Sequence, residues 1–185
     1  MNELLNIIFP SSFFIQFKVP NADEFNLFLD NDDNKEKTKY GWTNCCRVET
    51  FKLDPKKYLP ILKPSLEIFV KEIGKSATIN IPDMWLNEYE MGGFQEMHDH
   101  SLNDFACVYF VNAGNNFSNF SFYDRNKTNL SINCRTILDY PSEWSPDISA
   151  GDIIFFPGHL LHYVSPHNSD IIRKSVSFNF DLGLK

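Results

Sequence analysis

The chain has no apolar run near the roughly 18 residues that a membrane helix needs, so nothing in it reads as a bilayer span. It has four cysteines, Cys45, Cys46, Cys107 and Cys134, but no C-x-x-C pair, which argues against a zinc knuckle. The adjacent pair Cys45–Cys46 is a poor disulfide, and reduced, mostly buried thiols in a reducing compartment are expected. Positive charge is also short. With 17 basic against 24 acidic residues the formal net charge is −7, which leaves no general electrostatic footprint for a phosphate backbone. Nucleic acid is therefore the partner class least expected. The opening "MNELLNIIFPSSFFIQF" lacks a basic leader and a small-residue cleavage site, and reads as a first strand or two. Internal repeats and low-complexity tracts are missing as well.

What is present is apolar and aromatic. Hydrophobic residues make up 43% of the 185 positions and phenylalanine alone occurs 18 times, enough to build a core. One domain over 1–185 is expected, soluble and cytoplasmic. Its texture changes near residue 76. Before that point, Asn21 caps a short helix with Phe25, Leu27, Phe28 and Leu29 as its apolar side. The segment "NDDNKEKTKYG" at 31–41 reads as a surface loop. A second helix starts at Asp54 and Pro55 and ends at Gly74, with Tyr58, Leu62, Leu66, Phe69 and Ile73 along one face. Pro60 and Pro64 should bend or divide it. Residues 1–75 thus form a helical N-terminal support.

From 76 to 185 the period is two. "TINIPDMWLNEYEM", "FACVYFVN", "FSNFSFYD", "GDIIFFPG", "LLHYVS" and "RKSVSFNFDL" are strand candidates separated by turn residues. The fold class is α+β, mainly β: a sandwich or open barrel with the helices packed on one sheet.

In a strand, residues two apart share a face. In "GFQEMHDHSL", His98 and His100 then point one way and Asp99 the other, so two imidazoles can chelate one ion. Zinc, iron and copper all accept imidazole nitrogen. H-x-H spacing alone is a weak signal, because such pairs are common on wet surfaces. In "RKSVSFNF", Arg173, Ser175, Ser177 and Asn179 share a face opposite Lys174, Val176, Phe178 and Phe180. An arginine fork followed by a hydroxyl two residues on can hold a carboxylate. In "WLNEYEM", Trp85, Asn87, Tyr89 and Met91 make a face that suits a pocket wall and equally a core. Of the remaining histidines, His162 lies within the apolar strand "LLHYV" and can return to a cavity. His159 beside the Pro-Gly turn should be exposed, and His167 should lie in a loop.

Taken in order, "MWLNEYEMGGFQEMHDHS", "CVYFVN", "GDIIFFPGHLLHYVSPHNS" and "IIRKSVSFNF" resemble the Fe(II)- and 2-oxoglutarate-dependent oxygenases. The match is to a small branch found in marine phages and bacteria, and it covers about residues 40–182, including Gly41 and Trp42. The resemblance implies a double-stranded β-helix, the jelly-roll or cupin-like barrel, with iron in its mouth. By position in the motif, His98 and His162 would be metal ligands. Arg173 and Ser175 would bind the distal carboxylate of 2-oxoglutarate, with Tyr89 reaching the same group and Asn87 near it. The superfamily's usual H-x-D is H-x-H here, which puts His100 at the acid position and leaves the site one unit more positive. Asp104, or Asp99 through a bulge, is the alternative third ligand.

The activity implied is oxidative decarboxylation of 2-oxoglutarate coupled to hydroxylation of a small-molecule or protein substrate by dioxygen, with ascorbate as reductant in vitro. A homodimer is one arrangement to test. Two other readings stand beside it: a cupin-like metal enzyme that does not use 2-oxoglutarate, and a non-catalytic jelly-roll module. The loops 112–119 and 126–147 are the expected substrate-facing segments.

Overall fold

The computed structural model describes residues 13–39, 43–74, 76–125, 131–138 and 141–184. Gly41 and Trp42 lie outside the described residues.

The long β-rich half is centred on two strands that are apolar on both faces. The run Phe105–Phe110 (β6) is buried at every position, as is Ile153–Pro157 within Asp152–Pro157 (β9). Continuous burial of this kind belongs to a sheet covered on both sides. Alternation then sorts the side chains. Phe105, Cys107 and Tyr109 of β6, with Phe155 of β9, join one core cluster, and Ala106, Val108, Phe110, Ile154 and Phe156 join another.

Arg173–Leu184 (β11) lies between β6 and Ala77–Tyr89 (β4), antiparallel to both. Val48–Lys52 (β3) and Glu36–Thr38 (β2) extend the sheet beyond β4, and Ile15–Lys18 (β1) closes its other edge against β9. The resulting seven-stranded sheet runs β1-β9-β6-β11-β4-β3-β2. A second sheet of four strands runs β5-β10-β7-β8: Gln95–His98 (β5), Phe120–Tyr123 (β7), Glu143–Trp144 (β8) and Leu161–Val164 (β10). The two antiparallel sheets make the double-stranded β-helix, with the second cluster and the site between them.

The outer face of the large sheet is covered by Ala22–Asp30 (α1) and Pro55–Glu72 (α3), as expected of helices packed on one sheet. Phe25 and Leu29 of α1 and Tyr58, Leu62, Leu66 and Phe69 of α3 bury against Met84, Leu86, Val176, Phe178 and Phe180. Leu27, placed on the same apolar side by sequence, is exposed. Asp54 caps α3 by accepting from the Lys56 N–H, and Gly74 leaves it at φ +65°. Neither Pro60 nor Pro64 divides the helix. The carbonyls that lose a donor belong to Lys56 and Pro60, both exposed, so water can serve them while the opposite face stays anchored.

The first 75 residues are more than a helical support. They also supply β1, β2 and β3, and β2 falls inside the segment 31–41 read as a loop. That strand is a short charged edge, which hides its pairing from a hydrophobic pattern. Short helices at Thr43–Cys46 (α2) and Ile132–Leu138 (α4) complete the set described.

Candidate functional site

Three histidines meet at one end of the space between the sheets. His98 ends β5 and stands directly opposite His162 of β10 in the antiparallel register. His100 lies beyond the end of β5, so strand alternation does not bring it in. Instead the 99–104 turn folds over β9–β10: the His100 N–H donates to the Gly158 carbonyl at 2.7 Å, and the Gly158 N–H donates to Asp104 O at 2.9 Å. A Cβ at Gly158 would lie 2.3 Å from Asn103 O and 2.6 Å from His100 O, so only glycine allows this approach. The ring centroids are 4.3 Å apart for His98–His162 and 5.1 Å for His100 with each of the others. One nitrogen from each ring lies within 4.8 Å of the other two, close enough to share a divalent ion after small ring rotations.

The backbone sets the tautomers. His98 Nδ1 lies 2.7 Å from Glu96 O, and His162 Nδ1 lies 2.8 Å from Leu160 O. A carbonyl only accepts, so both Nδ1 atoms carry the proton and both Nε2 lone pairs face the centre. Burial holds all three rings neutral. It pulls His98 below the usual value, His162 far below it, and His100, next to His98, down to about 4. Neutral imidazoles are the form that binds metal.

Both nearby aspartates are engaged elsewhere. Asp99 pairs with Arg125 and accepts from the Ser101 N–H and hydroxyl. Asp104 accepts from the Leu182 N–H at 2.9 Å. The convergent set is therefore imidazole only, a donor type that suits iron among other transition metals.

From the histidines a narrow cavity runs between the sheets to Arg173. Its walls include Trp85, Asn87 and Tyr89 of β4 and Arg173, Ser175, Ser177 and Asn179 of β11, the two faces that alternation selects. Met91 does not share that wall. It lies past the end of β4 and is exposed. Arg173 is 3% exposed, and among the described residues it has no carboxylate partner. Its guanidinium carbon lies 4.8 Å from the Tyr89 ring centroid and 5.7 Å from that of Phe110, but Nη1 is buried without a partner. A buried unpaired cation costs several kcal/mol, roughly, and an anion in the cavity would remove that cost. Asn87 is already engaged: Thr50 Oγ1 donates to its Oδ1 at 3.2 Å, and its Nδ2 donates to Ser177 Oγ at 3.3 Å.

Several supporting groups escaped the sequence reading. Thr50 sits in β3, whose alternating "VETFK" was a usable signal. Gly158 reads as an ordinary turn glycine until its neighbours are known. His167 is in a loop, as expected, yet only 2% exposed: its Nδ1 accepts the Ser118 N–H and its Nε2 donates to Ile171 O. It thus pins the chain two residues before β11 begins. His159 is exposed, as expected. The 112–119 loop borders Arg173 rather than the histidines, and 126–147 contains α4 and β8 among its described residues.

Solved structures share this architecture. An oxidoreductase of the 2OG-Fe(II) oxygenase family from Burkholderia pseudomallei superposes with a TM-score of 0.68 at 11% identity, over 91% of this chain and 84% of that one. A prolyl-4-hydroxylase from Pseudomonas putida gives 0.61 at 14% identity, over 91% of each chain. HygX from Streptomyces hygroscopicus, solved with nickel and 2-oxoglutarate bound, gives 0.62 at 9% identity, over 91% and 82%. At these identities the likeness establishes the fold. No curated protein matches the chain by sequence. A family model described as "Putative 2OG-Fe(II) oxygenase" matches residues 83–179, more than half of the chain and the whole stretch from Trp85 through Asn179. The chain belongs to the 2OG-Fe(II) oxygenase family, with Fe(II) and 2-oxoglutarate as its cofactors.

Proposed function

We propose that this protein is a hydroxylase in which His98, His100 and His162 hold Fe(II) and Arg173 holds the distal carboxylate of 2-oxoglutarate. The observation that carries the reading is the buried, unpartnered Nη1 of Arg173 in the same cavity as the three neutral imidazoles. A cupin-like enzyme without 2-oxoglutarate would leave that cation unexplained, and so would a non-catalytic module.

Each side chain has a task in this reading. The Glu96 and Leu160 carbonyls orient His98 and His162 so that their Nε2 atoms face the ion. Arg173 fixes the far end of 2-oxoglutarate, with the Tyr89 hydroxyl beside it and Ser175 on the same wall. Asn87, held by Thr50 and Ser177, supports that wall and contributes shape more than a direct bond. Phe120, Phe156 and Val164 keep the intervening space apolar and poor in water. When bound, Fe(II) and 2-oxoglutarate supply the oxidising chemistry: dioxygen is consumed, 2-oxoglutarate yields succinate and carbon dioxide, and one oxygen atom goes to a C–H bond of the substrate.

The substrate is a small molecule or a protein side chain admitted at the histidine end, where the 99–104 turn and Arg125 form the rim. Succinate release over a substrate panel, with iron, dioxygen and ascorbate present, tests the reading. Substrate-stimulated succinate that is lost in Arg173→Lys supports it. Metal binding with no 2-oxoglutarate turnover on any substrate contradicts it.

A further inference from the structure

We propose that Cys45, Cys46 and Glu96 form a second metal site, for a thiophilic divalent cation of the Zn2+ class, separate from the histidine centre. The proposal does not depend on the function argued above.

The two thiols are neighbours in α2, and Glu96 arrives from β5, fifty residues on in the chain. Cys45 Sγ lies 3.6 Å from Cys46 Sγ and 3.8 Å from Glu96 Oε1, and all three ligand atoms fall within 4.8 Å of one another. Metal–sulfur bonds of about 2.3 Å in a tetrahedron give edges of about 3.8 Å, so two of the three contacts already have the spacing of a bound cation. The exposures also suit a site. Cys46 is fully buried, while Cys45 and Glu96 are exposed, which leaves a solvent side for entry and for a water as fourth ligand.

The cluster is held by backbone as well. The Phe94 N–H donates to Cys46 O at 2.9 Å, which ties the end of α2 to the start of β5. The sequence could not show this, because the thiols lack C-x-x-C spacing and their third partner is distant. Burial, together with the neighbouring Cys45 thiol and against a backbone hydrogen bond from Glu96, pushes the Cys46 thiol up to about 11. It is therefore protonated at neutral pH until a cation displaces the proton. Binding breaks two S–H bonds, forms two metal–sulfur bonds and releases two protons to solvent, with no change of oxidation state. Glu96 also lends its carbonyl to His98, so a cation here would tie α2 to the strand that carries His98.

Co2+ tests the site, because thiolate-to-cobalt charge transfer absorbs in the near ultraviolet and imidazole ligation does not give that band. The full chain, titrated anaerobically with Co2+, should develop the band to one equivalent of thiolate-bound metal. An equimolar addition of Zn2+ should remove it. Cys45→Ser, an exposed change that spares the core, should abolish the band, and Glu96→Gln should weaken binding at least tenfold. Cys134→Ser should leave it intact. No band in the natural chain, or a band that persists in Cys45→Ser or is unchanged by Glu96→Gln, would overturn the proposal.

Discussion

Arg173 and Tyr89 face each other across the β11–β4 pairing, with the guanidinium carbon 4.8 Å from the ring centroid and Nη1 buried without a partner. The aromatic face positions the fork without neutralising it. A cation–π contact is worth about 0.5–2 kcal/mol, less than the cost of burying the charge. The pair is thus organised to receive an anion.

The third ligand separates by mutation. His100→Ala should lower Fe(II) affinity tenfold or more, because it removes one of three convergent donors. Asp99→Ala should change it little, since it breaks a rim ion pair with Arg125 worth about 0–1 kcal/mol. Metal titration of both variants gives the order. A larger loss in Asp99→Ala would hand the position to the carboxylate.

Gly158→Ala should damage the metal site without touching a ligand. The new Cβ would meet two backbone oxygens, and the His100–Gly158 hydrogen bond must open to admit it. Overpacking of this kind costs about 1–3 kcal/mol in stability. Metal affinity should fall at least tenfold while the circular dichroism spectrum keeps its β character. Native affinity in this variant would show that the turn does not place His100.

The support beneath the sheet has its own pH signature. Tyr58 donates its hydroxyl to Asp32 at 2.9 Å, and the Asn34 N–H donates at 3.1 Å. Burial alone would raise the Asp32 carboxyl. The Tyr58 and Asn34 hydrogen bonds, with Lys57 nearby, outweigh it and hold the group below its ordinary 3.8. A depressed carboxylate contributes stability that is complete above 3.8 and is lost as pH falls through the lower folded value. Asp32→Asn should cost about 1.5–3 kcal/mol at pH 7, and the gap to the natural chain should narrow in acid. Urea unfolding at the two pH values measures both. A gap independent of pH would mean the charge is not what Asp32 contributes.

Much of the site was legible because it rides on long strands. In β11 a period of two sends Val176, Phe178 and Phe180 under the helices and Arg173, Ser175, Ser177 and Asn179 into the cavity. The same period fixes His98 and His162 once β5 and β10 pair. His100 stands beside His98 and His162, but a turn and Gly158 bring it there rather than the strand alternation read from the sequence. β2 and β3 were not seen, β2 because an exposed charged edge carries no hydrophobic period. The burial of His167 was equally hidden, because its partners, Ser118 and Ile171, come from two loops whose approach no local pattern encodes.

The most direct measurement is anaerobic calorimetry of 2-oxoglutarate into the Fe(II)-loaded protein and its Arg173→Lys variant. Lysine keeps the charge but loses the fork. The account predicts one 2-oxoglutarate per chain, binding that requires the metal, and a loss of roughly tenfold to a hundredfold in the variant, as expected for about 1.5–3 kcal/mol from a charged hydrogen-bonded pair, with metal affinity unchanged. Equal 2-oxoglutarate affinity in the two proteins, or no binding to either, would contradict it.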